Sequence, residues 1–248
     1  SVLAYSRGRF PVMAAVDLPL GYTSGAQATS IANAVIAEFK PREFKDVQPM
    51  YFHAHGPGLL HTSKVPVKSL EDLEGLKFRA TGNSGKLVEA LGATPVGMPM
   101  PESYQAIQKG VVDGGMYPVE TNKGWKMAEV VKYCTESFDV AYTTTFFVVM
   151  NKDRWAELPE DIQAIIAEIN QEWKAKHGQA WDDSDVAGRE FFLEQGGEFL
   201  ALSDEESARW VEAAAPMLDE YVAATNEKGL DGAAILSFTQ DAIAAEQQ

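Results

Sequence analysis

The sequence predicts an α/β fold whose C-terminal third is helical. Over residues 45–151, short runs rich in β-branched and aromatic residues alternate with helical segments, a pattern typical of layered sheets that contain parallel strands. From Asp153 onward, apolar residues recur mainly at helical spacing. The chain has 248 residues, of which 46% are hydrophobic, so it can bury a sizeable core as one large domain or as two lobes.

Turn residues separate the predicted elements of the first half. Residues 1–22 are expected to be irregular and strand-like, and Ser24 is expected to cap a helix that stops at Pro41. Strands are predicted at "DVQPMYFHAH", "KFRA", "TPVGMPM" and "VVDGGMY". Helices are predicted at "SGKLVEALGA" and "PESYQAIQKG", each closed by a glycine.

The second half is predicted to be largely helical. Residues 123–133 are expected to form a helix, and residues 141–151 a strand rich in β-branched and aromatic residues. Ser203 and Glu206 form a capping-box pattern at the start of a further helix, and the segment after Gly229 predicts a last one. Pro159 precedes a long helical pattern made by Ile162, Ile165, Ile166, Ile169 and Trp173.

The charge and the cysteine content exclude several classes of protein. A net charge of −15 and a pI of about 4.7 make nucleic acid and anionic membrane surfaces unfavourable partners, and an anionic ligand would need a local positive group. The single cysteine, Cys134, excludes an intrachain disulfide and a cysteine-rich zinc site. No apolar run approaches the ~18 residues of a membrane helix, and the opening "SVLAYSRGRFP" does not read as a signal peptide, so we expect a processed, truncated or incomplete chain.

Arg79 is the first candidate for ligand binding. It stands at the end of the predicted strand "KFRA", and a glycine-bounded loop, "TGNSG", then begins a helix that Asn83 or Ser84 is expected to cap. Ligands of open α/β sheets bind beyond the carboxyl ends of strands, and a helix N-terminus and a guanidinium both favour an anion. The pattern indicates a carboxylate clamp; the alternative is a surface arginine paired with a nearby acid.

The histidines give no metal or catalytic signature. His53 and His55 share one face of a strand, and together with His61 they would offer a metal three nitrogens, but no acid or cysteine completes a close-spaced site. A polar wall or hydrogen-bonded loop histidines are the favoured interpretation. The sequence contains no G-x-S-x-G elbow, dinucleotide fingerprint or Walker loop, so nothing in it favours catalysis.

A second candidate region is "VDGGMYP". Glycines such as Gly115 allow close approach to the backbone, and Tyr117 offers a ring and a hydroxyl that suit a pocket wall. Core packing is the alternative for Tyr117. The same two interpretations are open for Met98, Met100, Phe146, Phe147 and Trp125, and of these Met100 and Phe147 are taken as candidate site residues.

Three blocks of the sequence together resemble one family. The blocks are "KSLEDLEGLKFRATG", "LGATPVGMPMPESYQAIQKGVVDG" and "FFVVMNKDRWAELPEDIQ". In content, order and spacing they resemble the solute-binding proteins of TRAP transporters, the DctP-type family, over essentially the whole chain.

The resemblance implies a periplasmic binding protein, not an enzyme, without metal or other cofactor. Members have two α/β lobes (a type II-like fold) that close on an organic acid and deliver it to a pair of membrane subunits driven by a sodium gradient. The arginine of the "GLK-x-R" block typically pairs with the ligand carboxylate, and that position is Arg79 here. The family's "DGQENP" segment also contacts ligand; here it reads "DGGMYP". The candidate ligand-binding residues are therefore His55, Arg79, Thr81, Met100, Gly115, Tyr117 and Phe147.

Departures from the family pattern narrow the expected ligand. Many members carry a second arginine before the "SK" strand, whereas this chain reads "HGPGLLHTSK", which favours a monocarboxylate, with a role for His55 or His61 left open. Tyr117 stands where asparagine is common, which favours an apolar ligand such as an aromatic or branched 2-oxo or 2-hydroxy acid. Whether the protein is a monomer or a dimer is left open.

The resemblance also predicts the domain organisation. Residues 1–54 and 143–200 are assigned to lobe one, residues 55–142 to lobe two, and residues 201–248 to helices that brace both lobes. Members usually carry a further ~70–80 residues, so the N-terminal part of lobe one is expected to be missing from this sequence. Two rival functions are an α/β enzyme that acts on a small carboxylic acid with His53 or His55 as base, and the ligand-sensing domain of a signalling system.

Overall fold

The protein, seen in a computed structural model, is described for residues 1–6 and 8–246. The strands are β1 (Val47–Ala54), β2 (Gly58–Thr62), β3 (Lys77–Ala80), β4 (Thr94–Gly97), β5 (Gly114–Pro118), β6 (Tyr133–Glu136), β7 (Thr145–Asn151) and β8 (Glu198–Ala201). The helices are α1 (Gly25–Phe39), α2 (Gly82–Ala90), α3 (Met100–Gln108), α4 (Thr121–Gly124), α5 (Lys152–Ala156), α6 (Glu160–Glu194), α7 (Asp204–Ala214), α8 (Pro216–Asn226) and α9 (Gly232–Glu246).

The strands form two sheets. In the first, β1 and β7 pair antiparallel. The second has the order β4-β3-β5-β2-β6-β8; β3 is parallel to β4 and β5, and β6 is parallel to β8, but β2 runs opposite to both of its neighbours. The predicted α/β class is therefore confirmed, and parallel pairing holds on both sides of the antiparallel strand β2.

Each sheet has its own hydrophobic core. The first lobe packs β1 and β7 against α1, α9 and the N-terminal segment, around residues such as Phe52 and Ile31. The second lobe covers both faces of the six-stranded sheet: one face packs around Phe78 and Trp210, and the other around Tyr117 and Phe192. Because β8 pairs with β6, residues 198–200 lie in the second sheet rather than in the first lobe, to which the sequence assigned them.

The long helix α6 is bonded to both lobes. Asp182 accepts hydrogen bonds from the backbone N–H groups of Gly25 and Ala26 in the first lobe, at 2.5 and 3.1 Å. One turn later, Asp185 accepts from the N–H of Glu120 in the second lobe, at 2.7 Å. Helix α6 is therefore hydrogen-bonded to the first lobe and to the second lobe at two positions that are one helical turn apart.

The C-terminal helices also contact both lobes. Trp210 of α7 is fully buried in the second-lobe core, and Arg209 forms an ion pair with Glu71 of that lobe. Tyr221 of α8 donates to the backbone oxygen of Pro11 in the N-terminal segment, at 3.2 Å. The kink between α7 and α8 falls at Pro216, which lacks the N–H that a continuous helix needs.

Several local expectations are wrong. The described residues before Thr23 (1–6 and 8–22) form 3₁₀ turns at Leu3–Tyr5 and Met13–Ala15 and no named strand. The expected helix over 123–133 is broken into the end of α4, a 3₁₀ turn and the start of β6. Ser203 does cap α7, since its hydroxyl accepts from the N–H of Glu206 at 3.2 Å, but the Glu206 carboxylate accepts from the N–H of Leu70 and does not close a capping box.

Among the helices of residues 1–6 and 8–246, none combines the length and the apolar composition that a bilayer crossing requires.

Candidate functional site

Arg79 is a buried cation near the carboxyl end of β3 in the second sheet. It is the third residue of β3, and only 5% of its surface is exposed. Its Nε donates to the backbone oxygen of Met98 at 3.1 Å, and its Nη1 donates to that of Met116 at 3.3 Å. These two carbonyls, one just beyond β4 and one within β5, fix the plane of the guanidinium.

The described residues place no acid in an ion pair with Arg79. A guanidinium has five N–H groups, and two are used by the backbone carbonyls, so the fork keeps donors for an anion. A buried charge without an opposite charge is costly, and such groups are normally paired. The alternative of a surface arginine paired with an acid is therefore wrong, and the geometry suits an external carboxylate.

Helix α2 begins directly after this strand. Its N-cap is Thr81, with Ser84 at the third helical position: the N–H of Thr81 donates to the Ser84 hydroxyl at 3.0 Å, and that hydroxyl donates to the Thr81 carbonyl at 2.8 Å. The expected cap at Asn83 or Ser84 is displaced by a few residues. Asn83 instead donates to the backbone oxygen of Ala14 at 2.8 Å, which ties the start of α2 to the first lobe.

Tyr117 lies beside Arg79 on the same face of the sheet. Gly115 pairs with Arg79, and a Cβ on Gly115 would lie 2.6 Å from Cε1 of Tyr117, so the glycine leaves room for the ring. The ring stacks on His61 at 4.2 Å between centroids. The hydroxyl is fully buried and has no hydrogen-bond partner in the described chain, and burial raises the pKa of Tyr117 well above its usual value.

His55 approaches the same region from the segment between β1 and β2, where the chain passes from the first sheet to the second. It is 4% exposed, and its Nδ1 lies 2.5 Å from the backbone oxygen of Gly56. Burial lowers the pKa of His55 to about 4; the Gly56 hydrogen bond opposes this shift, and the positive charge of Arg79 adds to it. The imidazole is therefore neutral at pH 7 and within electrostatic reach of the guanidinium.

Tyr142 is a residue of this region that the sequence did not single out as a site residue. Its ring packs over Gly58, where a Cβ would lie 2.3 Å from Cε1, and meets the His55 ring edge to face at 5.6 Å. Burial raises the pKa of Tyr142 to about 12, and the charge of Arg79 opposes the rise. The only sequence signal is its place at the predicted end of lobe two, residue 142.

The other two candidates differ in their placement. Met100 begins α3, is 9% exposed, and packs in the same core as Tyr117. Phe147 does not join them: it is packed against the first-lobe core, with its ring centroid 6.2 Å from that of Phe10. Because side chains alternate along β7, Phe146 lies on the opposite face and contacts His55, with ring centroids 6.4 Å apart.

A cavity of about 410 Å³ lies near the carboxyl end of β3, but Arg79 is not among the residues that line it. It is bounded by the N-terminal segment, the start of α2, the edge of β4 and α8. Ala80 lines the cavity, and alternation along β3 puts Arg79 on the opposite face. Asp17 forms part of its wall, and burial raises the pKa of that carboxyl to about 7.

Within the described residues no cluster of histidine, cysteine, aspartate and glutamate suits a metal ion. His61 is instead held in the sheet core, with Nδ1 3.3 Å from the Leu59 carbonyl and Nε2 3.2 Å from the Asn122 amide nitrogen. A carbonyl only accepts, so Nδ1 carries the proton and Nε2 accepts from Asn122.

Comparison with known proteins identifies the family. The profile of the bacterial extracellular solute-binding proteins of family 7, DctP, matches residues 1–225. The chain belongs to this family. The resemblance seen in the sequence is thereby confirmed, and so is the prediction of a solute-binding protein family rather than an enzyme family.

Curated relatives are similar over part of their length. The C4-dicarboxylate-binding periplasmic protein DctP of Rhodobacter capsulatus is 33% identical over 183 residues, which are 72% of this chain and 54% of the relative. The protein TsaT of Comamonas testosteroni, named an outer membrane transporter protein, is 26% identical over 84% of this chain and 62% of its own length. The chain thus spans about half to three-fifths of the length of these relatives.

Solved structures confirm the two-lobed fold. A marine metagenome TRAP solute-binding protein specific for aromatic acid ligands, in complex with metahydroxyphenylacetate, is 30% identical with a TM-score of 0.94, covering 100% of this chain and 79% of that one. A TRAP solute-binding protein from Rhodoferax ferrireducens T118 with copurified benzoate is 30% identical with a TM-score of 0.94, covering 100% and 78%. One from Bordetella bronchiseptica with bound (R)- and (S)-mandelate is 28% identical with a TM-score of 0.88, covering 96% and 77%.

Proposed function

We propose that the protein is the periplasmic solute-binding subunit of a TRAP transporter, and that it captures a small aromatic or otherwise apolar monocarboxylate with Arg79. The observation that carries the proposal is the buried guanidinium, held by two backbone carbonyls and not paired with an acid of the described chain. An organic carboxylate supplies the missing charge, and the planar fork matches its two oxygens.

The surroundings of Arg79 support a largely apolar ligand. Tyr117 is buried on the same face of the sheet, and Met100 packs in the same core as Tyr117. Tyr142 is also buried, and its ring contacts His55, which is neutral because burial lowers its pKa to about 4. One cation within such walls balances one carboxylate, whereas a second carboxylate would stay unpaired. Aromatic acids bound to the marine metagenome protein and to the Rhodoferax protein agree with this ligand class.

In the proposed mechanism the ligand binds between the lobes, which then close around it. The chain passes from one sheet to the other in the segments around Gly56 and Tyr142, which we take as the hinge between the lobes. The hydrogen bonds of Asp182 and Asp185 mark the corresponding turn of α6. Closure removes water from the carboxylate–guanidinium pair and strengthens it. The closed protein then delivers the acid to the membrane subunits of the transporter.

Isothermal titration calorimetry with benzoate, mandelate and metahydroxyphenylacetate tests the proposal. Arg79→Ala is expected to abolish measurable binding, because it removes both the charge and the fork. Arg79→Lys keeps the charge without the bidentate geometry and is expected to weaken binding by roughly tenfold or more. The control is Arg154→Ala, because Arg154 lies on α5, is exposed and pairs with Glu157 just beyond that helix.

The result that contradicts the proposal is an affinity of Arg79→Ala equal to that of the Arg154→Ala control. Thermal unfolding of the ligand-free variants separates lost binding from lost structure, because Arg79 also bonds to Met98 and Met116. If Arg79→Ala unfolds early, Arg79→Lys carries the test: an unchanged affinity for all three acids would then reject the clamp.

A further inference from the structure

The hydrogen-bonding state of His55 is set by its own backbone. The Nδ1 atom lies 2.5 Å from the carbonyl oxygen of Gly56. A carbonyl oxygen only accepts, so Nδ1 carries the ring proton and donates it. A neutral imidazole has one proton, so Nε2 has a free lone pair and can only accept a hydrogen bond.

The Nε2 atom has no partner in the described part of the chain, and it is not among the fully buried unpaired atoms. It is therefore an acceptor that no group of the described chain pairs, in a residue that is only 4% exposed. The backbone of His55 is also held in place, because the hydroxyl of Thr143 donates to the His55 carbonyl at 2.6 Å.

Three aromatic side chains hold the His55 ring in this orientation. Tyr142, Trp181 and Phe146 each meet it nearly edge to face, at interplanar angles of 87°, 71° and 73° and centroid distances of 5.6, 6.3 and 6.4 Å. Rotation of the imidazole would break the Gly56 hydrogen bond and disturb all three contacts. The acceptor at Nε2 is therefore a preorganised feature of the site.

A fixed acceptor near a fixed cation is a specific recognition pattern. The guanidinium of Arg79 offers N–H donors to a carboxylate. Tyr142 places His55 in the same region, because its ring meets the His55 ring at 5.6 Å and packs over Gly58. Gly58 pairs with β5, the strand that lies beside Arg79 of β3. The complementary ligand carries a hydrogen-bond donor next to its carboxylate. A hydroxyl on the carbon beside the carboxylate has this form, whereas a keto oxygen in the same place only accepts and would face the lone pair of Nε2.

We infer that His55 Nε2 accepts a hydrogen bond from the ligand's 2-hydroxyl, so that the site prefers 2-hydroxy carboxylates over the corresponding 2-oxo carboxylates. This inference rests on the proposed function, because it takes Arg79 as the group that holds the carboxylate. The mandelate bound to the Bordetella relative belongs to the preferred class.

The test compares three acids that share a phenyl ring and a carboxylate: mandelate, phenylglyoxylate and phenylacetate. Calorimetry on the wild-type protein is expected to give mandelate an affinity roughly tenfold higher than phenylglyoxylate, the scale of one neutral hydrogen bond. In His55→Phe the ring shape is kept and the acceptor is lost, so the ratio is expected to fall to about one. His177→Phe is the control: it also removes an imidazole of the neighbouring aromatic cluster, and the ratio is expected to stay at its wild-type value.

Equal affinities for mandelate and phenylglyoxylate in the wild type would overturn the role of His55 while leaving the Arg79 clamp intact. Binding of none of the three acids would overturn the proposed function together with this inference. A preference that persists in His55→Phe would also reject it.

A spectroscopic measurement keeps the test decisive if His55→Phe does not fold. In long-range ¹H–¹⁵N spectra of the wild type, His55 is expected to carry its proton on Nδ1, and its Nε2 resonance is expected to shift on addition of mandelate but much less with phenylacetate. A proton on Nε2, or equal shifts with both acids, would overturn the inference.

Discussion

Replacing Gly188 by alanine tests the contact between α6 and the second lobe. A Cβ at this position would lie 2.4 Å from the Val119 oxygen and 2.7 Å from Cα of Glu120, so the helix and this backbone would have to separate by about 1 Å. That movement stretches the 2.7 Å bond between Glu120 N–H and Asp185 beyond hydrogen-bond range.

The two effects set the expected size of the destabilisation. Overpacking costs about 1–3 kcal/mol and loss of a hydrogen bond to a carboxylate about 1.5–3 kcal/mol, against a gain of about 1 kcal/mol in helix propensity. Gly188→Ala is therefore expected to lower the free energy of unfolding by about 1.5–5 kcal/mol, which is roughly 3–20 °C in Tm for a chain of this size.

Differential scanning calorimetry measures this change, with Gly85→Ala as the matched control. Gly85 is also within a helix, and the nearest atom to its added Cβ is that of Pro95 at 3.9 Å, an ordinary contact. Gly85→Ala is expected to leave Tm unchanged or to raise it slightly. If Gly188→Ala melted at or above the temperature of Gly85→Ala, the close approach of α6 to the second lobe would be refuted.

Three further predictions concern single buried groups. Burial raises the pKa of Asp17 from 3.8 to about 7, so the folded state binds an extra proton and the contribution of this carboxyl to stability decreases as pH rises from about 4 to 7, by at most about 4 kcal/mol. Asp17→Asn lacks this contribution, so its urea unfolding midpoint should rise relative to that of the wild type over this pH range. A difference between the two midpoints that does not change with pH would contradict the assignment. Burial lowers the pKa of His61 from 6.5 to about 3, so the neutral imidazole contributes fully to stability above pH 6.5, and this contribution is lost as pH falls towards 3. In His61→Gln the free energy of unfolding should therefore decrease less on acidification than in the wild type. An equal decrease in both proteins would contradict the assignment. Phe147→Ala should lower Tm because it removes a ring from the first-lobe core, and its affinity for aromatic acids should stay within about twofold of the wild-type value. Phe146→Ala should instead weaken binding of these acids, because Phe146 contacts His55. Weaker binding in Phe147→Ala and unchanged binding in Phe146→Ala would show that Phe147, and not Phe146, lies in the site.

The sequence predicted well the elements that have a clear local signature. The strand "KFRA" matches β3 at both ends, and Ser24 caps α1 by accepting from the N–H of Gln27 at 3.0 Å. Strands β2 and β6 were not predicted because they lie within the second sheet and are covered on both faces. Such strands lose the alternation of polar and apolar residues that marks a half-buried strand.

Helix α6 shows the opposite difficulty. The apolar residues after Pro159 correctly predicted a helix, but Ile165 and Trp173 are 51% and 46% exposed, while Ile166 turns inward. Periodicity gives the presence of a helix, whereas the face that meets the protein depends on tertiary contacts. For this helix those contacts are made by Asp182, Asp185 and glycines rather than by a continuous apolar stripe.

The candidate site was predictable where residue type and strand end coincide. Arg79 and Tyr117 follow from a cation and an aromatic residue at the carboxyl ends of β3 and β5. Phe147 was misplaced because two adjacent phenylalanines on one strand face opposite sides, and composition does not tell which faces the site. Tyr142 was not identified because its position depends on the crossing between the lobes.

A crystal structure of the protein with benzoate or mandelate tests the central claim most directly. The account predicts the ligand carboxylate within about 2.7–2.9 Å of two guanidinium nitrogens of Arg79, with the ring between Tyr117, Tyr142 and Phe146. A carboxylate bound elsewhere, such as in the cavity of about 410 Å³ beside Asp17, with Arg79 bonded only to Met98 and Met116, would contradict it.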